Sequence, residues 1–79
     1  MRISDIIRIN IKNMIELNNI SYEQFANLLG YNITDVKRLL SGDLLLPPKQ
    51  LERICKIFKI SKEELIKEEL VYDKRIWNN

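Results

Sequence analysis

The 79-residue chain has no histidine, one cysteine, two glycines, two prolines and a single alanine, Ala26. Without an imidazole there is no histidine general base, no histidine zinc ligand, and no serine or cysteine triad that depends on one. The lone Cys55 cannot close an internal disulfide, so stability has to come from packing, and a reducing cytoplasm is the expected setting. Long hydrophobic runs are missing too. The longest are three residues, as in Leu44-Leu45-Leu46 and Leu70-Val71-Tyr72. A membrane span needs about 20 and a signal-peptide core about 7–15, so neither is expected. No enzyme, metal site, cofactor or membrane partner is expected.

Charge of one sign is equally scarce. Thirteen basic groups face eleven acidic ones, for a net charge of +2. The balance is even along the chain: five basic against four acidic residues in 1–42, eight against seven in 43–79. Any surface for a polyanion must then arise from local placement and not from bulk charge.

What the chain does have is helical period. It is 46% hydrophobic and 30% charged, a globular balance, and its length suits one small domain. Ile7, Ile11 and Met14 recur at i, i+4, i+7 on one face of a first helix starting near Ser4. Asn18-Asn19 can end it, since Asn tolerates the left-handed exit conformation. One pattern then occurs three times: apolar residue, cap, acidic or amide residue three later, apolar residue four later. The copies are Ile20-Ser21 with Gln24-Phe25, Tyr31-Asn32 with Asp35-Val36, and Ile60-Ser61 with Glu64-Leu65. Each is a capping box flanked by a hydrophobic staple, hence a helix start. Gly30 and Gly42 are stops, and Pro48 opens a further helix with the face Leu51, Ile54, Cys55, Phe58. The last helix shows Leu65, Ile66 and Leu70. The fold expected is all-α, a compact five-helix domain over residues 1–70, with helix 2 at about 21–29 and helix 3 at about 32–41. Residues 71–79 form a C-terminal extension.

The second and third helices are joined by a turn of only Gly30, Tyr31 and the cap Asn32, so they cross steeply and need a small residue, Ala26, near the crossing. The stretch from Ile20 through Gly30 and Val36 to Gly42 resembles the helix-turn-helix of the lambda-repressor-like, xenobiotic-response-element (XRE) transcriptional regulators. The likeness continues through Ile54-Cys55-Lys56-Ile57-Phe58-Lys59-Ile60-Ser61 and covers roughly residues 7–66.

The resemblance implies sequence-specific binding of double-stranded DNA, with the third helix in the major groove. Carried over position by position, it implies base reading by Ile33, Thr34, Lys37 and Arg38, whose side-chain types suit guanine edges and thymine methyls. It implies phosphate contacts from Ser21, Tyr22 and Asn32 at helix N-termini; apart from the resemblance, Lys49 and Lys12 are cations able to compensate for the phosphate contacts this chain lacks. The chain departs from the family where Tyr22 replaces a frequent Gln, where Ile15 replaces a basic residue, and in residues 43–47, where an acidic, leucine-rich loop replaces a basic one. Asp35 would repel phosphate, but its capping-box position gives it a local role. Ile33 reads either as a base contact, a protein contact or plain surface. Cys55 reads as a packing residue, and the Glu63-Glu64 and Glu68-Glu69 pairs, interleaved with Lys62 and Lys67, read as a solvated face with i,i+4 ion pairs.

Two functions follow from these features. The first is a small bacterial or phage repressor acting as a homodimer, with Leu44, Leu45, Ile76 and Trp77 as the dimer surface. The second is a helix-turn-helix domain repurposed for a protein partner, as an antirepressor or inhibitor. The greasy loop and the mild charge favour the second; the caps do not discriminate.

Overall fold

In the computed structural model, which describes residues 2–67, five helices follow one another: α1 (Ile3–Leu17), α2 (Tyr22–Leu29), α3 (Ile33–Ser41), α4 (Pro48–Phe58) and α5 (Lys62–Leu65). Among the described residues there is no strand, and no helix is long and apolar enough to cross a membrane. The expected extension, with Ile76 and Trp77, lies outside the described residues.

All three capping boxes form. Ser21 Oγ accepts from the Gln24 N–H at 3.0 Å, and the Gln24 side chain accepts from the Ser21 N–H at 2.8 Å. Asn32 Oδ1 accepts from the Asp35 N–H at 2.8 Å, and the Asp35 carboxylate accepts from the Asn32 N–H at 3.4 Å. Ser61 and Glu64 repeat the exchange at 3.1 Å in both directions. α1 lacks such a cap; it begins one residue before Ser4, at Ile3, behind Arg2, whose side chain makes no capping bond.

The helix exits share one device. A residue in the left-handed region, followed by an N–H that reaches back five residues, closes α1 at Asn19 (φ 55°), α2 at Gly30 (φ 72°), α3 at Gly42 (φ 93°) and α4 at Lys59 (φ 55°). The closing bonds are Ile20 N–H to Ile15 O (3.2 Å), Tyr31 to Ala26 (2.8 Å), Asp43 to Arg38 (2.8 Å) and Ile60 to Cys55 (3.0 Å). This is the Schellman-type ending, which satisfies carbonyls the helix leaves orphaned.

These exits feed a core drawn from every helix. Ile11, Met14, Phe25, Leu29, Val36, Ile54, Phe58 and Leu65 are all fully buried. Phe25 of α2 stacks on Phe58 of α4 with ring centroids 5.8 Å apart, a contact worth about 0.5–1.5 kcal/mol beyond its buried area. Ala26 is buried as expected, and α2 and α3 pack directly on one another.

Two particulars differ from the sequence reading, and a third agrees with a departure it noted. Over the described residues α5 is a single turn, in which Lys62 reaches Glu52 of α4 at 3.2 Å and Glu64 serves the cap; Glu68, Glu69 and Leu70 of the expected last helix lie outside the described residues. Ile66 follows the end of that turn and is exposed, so it adds nothing to the core. Ile15, which stands where the family often has a basic residue, is buried in the core. It therefore offers no surface position for a phosphate contact.

Candidate nucleic-acid interface

The exposed side of α3 follows from which of its residues the core takes. Val36 and Leu39 are buried and Leu40 is half-buried. At about 100° per residue, the remaining positions Ile33, Lys37, Ser41, Thr34 and Arg38 fall in a continuous wedge of roughly 140°. All five are exposed. Ile33 and Lys37 form one i,i+4 row, and Thr34 and Arg38 form the next.

Hydrogen bonding separates the free side chains of this surface from those already engaged. The Ser41 hydroxyl donates to Arg38 O at 3.0 Å and to an Asp43 carboxylate oxygen at 3.2 Å, which holds it at the helix end. Asp35 is tied to Asn32 by the capping box. That is the local reason for an acid at this position, and it spends part of the carboxylate's hydrogen-bonding capacity inside the protein. The Lys37 and Arg38 side chains stand on the exposed wedge and make no ion pair to a carboxylate among the described residues.

The other candidate side chains stand at helix N-termini. Asn32 uses its carbonyl oxygen in the cap and keeps its side-chain N–H₂ group as a donor; Ser21 accepts through Oγ and keeps its O–H. The first backbone N–H groups of α2 and α3 have no helical partner by construction, so each start favours an anion. Tyr22 is half-buried, its ring packed on the core. Lys49 is exposed in the first turn of α4.

Three sets of long-range interactions hold the helices around this surface. Gln50 Nε2 and Arg53 Nη1 of α4 both donate to Leu29 O at 3.1 Å and so pin the last turn of α2. Buried Asn10 donates to Leu65 O at 2.6 Å and to Lys67 O at 2.9 Å, tying α1 to the end of α5. Its signal was present: Asn10 lies four residues from both Ile6 and Met14, on the apolar stripe, where a polar side chain needs a partner. Arg8 pairs with Asp5 and lies against Gly42, so that a Cβ at Gly42 would come within 3.1 Å of Arg8 Cζ. A cation at the carbonyl end of α3 also complements the helix dipole.

The loop after α3 is divided. Leu44 and Leu46 are half-buried, while Leu45 is 89% exposed. With Ile7, Ile11, Leu39 and Leu51 they line a cleft of about 380 Å³ whose rim carries Arg2, Asp5 and Arg8. Cys55 is a core residue: burial, the largest influence, pushes its thiol pKa up against a smaller downward pull from Lys62. A thiol kept protonated is a poor nucleophile, which fits the packing role.

Two helices joined by a three-residue turn, the second exposing a polar and cationic wedge, define a helix-turn-helix domain. The family model for the Cro/C1-type HTH DNA-binding domain matches residues 10–69. The chain belongs to that family, and its domain is of the DNA-binding kind that transcriptional regulators carry. Comparison with curated proteins gives no match, and comparison with solved structures gives none.

Proposed function

We propose that the protein is a sequence-specific regulator of transcription, a repressor that binds its operator as a homodimer in the cytoplasm. Ile33, Thr34, Lys37 and Arg38 read base edges in the major groove; Ser21, Tyr22, Asn32 and Lys49 hold the phosphates. The observation that carries this reading is the exposed α3 wedge, with Lys37 and Arg38 beside a capped N-terminus and unpaired among the described residues. Leu44 and Leu45, with Ile76 and Trp77 of the extension, join two copies so that paired α3 helices meet half-sites about 34 Å apart. With few cations around the wedge, affinity falls less steeply with salt than for a strongly basic domain.

Electrophoretic mobility shift of DNA flanking the protein's own gene tests the reading. Arg38→Ala is expected to weaken specific binding by about 1–3 kcal/mol, the worth of a bidentate guanine contact. Lys37→Ala weakens it as well. Wild-type affinity in both folded variants would remove α3 from the groove.

The exposure of Leu45 favours a second reading, in which the domain docks on a protein partner as an antirepressor or inhibitor. Sedimentation separates the two. A strict monomer across micromolar concentrations, free and with DNA, moves the weight to the protein partner.

A further inference from the structure

The four free side chains of the α3 wedge are of two chemical kinds, sorted by position. The first turn carries Ile33 and Thr34; one turn further on stand Lys37 and Arg38. Ile33 is the least exposed, at 36%, of the seven large hydrophobic residues that stand exposed among the described residues, and it is not among the side chains packed on the core. Core packing therefore gives no reason for it. Helix propensity gives none either, since a β-branched side chain is a poorer helix former than Ala, Leu or Lys. The two polar neighbours of the first turn, Asn32 and Asp35, are bonded to each other in the capping box. Beside the Asn32 N–H₂ and the Thr34 hydroxyl, the leading tip of α3 thus presents methyl groups: those of Ile33, and the one on Thr34. Side chains on a helix lean toward its N-terminus, which carries Ile33 forward of its own Cα.

The edges of base pairs in the major groove are polar except at one place, the C5-methyl group of thymine. An apolar tip gains there and loses over any other base edge, whose donors and acceptors it would strip of water without replacing their hydrogen bonds. Resting on the DNA-binding reading above, we infer that Ile33 is the thymine-selecting residue of this domain. Each half-site then carries thymine beneath the first turn of α3. Guanine lies about two base-pair steps away, beneath Lys37 and Arg38, because four helical residues advance about 6 Å against a base-pair rise of about 3.4 Å. Thr34 adds a second methyl on the same turn.

The test uses the full chain. Duplexes enriched from a random library are remade with each thymine replaced in turn by deoxyuridine, which removes the C5-methyl and nothing else. At one or two positions in each half-site, affinity for the wild type falls about fourfold per methyl, the worth of one buried CH₂-sized group. Ile33→Ala loses most of this sensitivity, and Ile33→Ala combined with Thr34→Ser loses all of it, while both variants melt like the wild type. Uracil tolerated at every position overturns the inference and leaves the DNA-binding reading standing. Undiminished sensitivity in the double variant overturns it too, by moving methyl reading to another residue. A library that yields no enriched sequence overturns both readings together.

Discussion

Three of the four helix connections are built alike, and the fourth is not. Asn19-Ile20-Ser21, Gly30-Tyr31-Asn32 and Lys59-Ile60-Ser61 each supply a left-handed residue, an apolar residue and a capping residue, in that order. The connection from α3 to α4 starts with the same left-handed exit, at Gly42. It then runs through Asp43, three leucines and Pro47 to a helix without a side-chain cap. In the short connectors every residue has a structural task, so the exit of one helix and the entry of the next are set by adjacent side chains. In the longer loop only Leu44 and Leu46 are drawn inward, and Leu45 is left in solvent. The short form fixes angles between helices. The long form leaves a surface.

The sharpest way to break the short-connector side of this comparison is to overfill the space beside one. Ala26→Leu inserts bulk at a buried position next to the Gly30–Asn32 turn and is expected to cost about 1–3 kcal/mol. Thermal melting reads this as a midpoint about 4–8 °C lower per kcal/mol lost; an unchanged midpoint argues against close approach at Ala26.

Two glycines allow the exits to be compared directly. Gly30→Ala forces a Cβ into the left-handed region where the nearest foreign atom is 3.6 Å away, so its cost of about 1–2 kcal/mol is conformational. Gly42→Ala carries that cost and also displaces the Arg8 guanidinium. It is expected to destabilise more than Gly30→Ala, and the excess should vanish in an Arg8→Ala background. Urea titration of the four proteins decides this, with equal losses at both glycines counting against the Arg8 contact.

Caps come next. Asn32→Ala removes the acceptor for the Asp35 N–H and should cost about 1 kcal/mol, measured by the same titration. At Lys59 the sign reverses. A lysine held at φ 55° carries strain that glycine does not, so Lys59→Gly is expected to stabilise by about 0.5 kcal/mol after the added freedom of the unfolded chain is subtracted. The smallest effect on stability belongs to the loop. Leu45→Lys should leave the melting midpoint unchanged to within about 0.5 kcal/mol, because the side chain is already in water. Its effect should appear in sedimentation, as weaker self-association; a cooperative loss of stability would instead place Leu45 inside the fold.

The same division separates what was legible in the residues from what was not. Helix starts at Ser21, Asn32 and Ser61, the exits at Asn19, Gly30 and Gly42, and the inward face of α4 could be read directly. Each is decided within four or five residues by capping chemistry, backbone conformation or helical period. The left-handed exit at Lys59 gave no such sign, because lysine does not advertise that conformation. The candidate base-reading residues were named by the family resemblance and not by local chemistry; helical period adds only that, once Val36 and Leu39 are assigned inward, the opposite side of α3 faces out. Residues 68–79, including Ile76 and Trp77, lie outside the described residues, so the expected extension gains no structural account.

By itself, then, the amino-acid sequence determined the helices, their order and three of the four connections, because those depend on neighbours along the chain. Tertiary structure alone decided that Gln50 and Arg53 close the end of α2, that Asn10 ties α1 to the end of α5, and that Arg8 lies against Gly42. It also decided that Leu45, of three adjacent leucines, is the one left in water. These contacts join residues 21 to 57 positions apart, or divide identical neighbours between core and solvent. No local propensity distinguishes such outcomes, and only the packed arrangement of the helices selects among them.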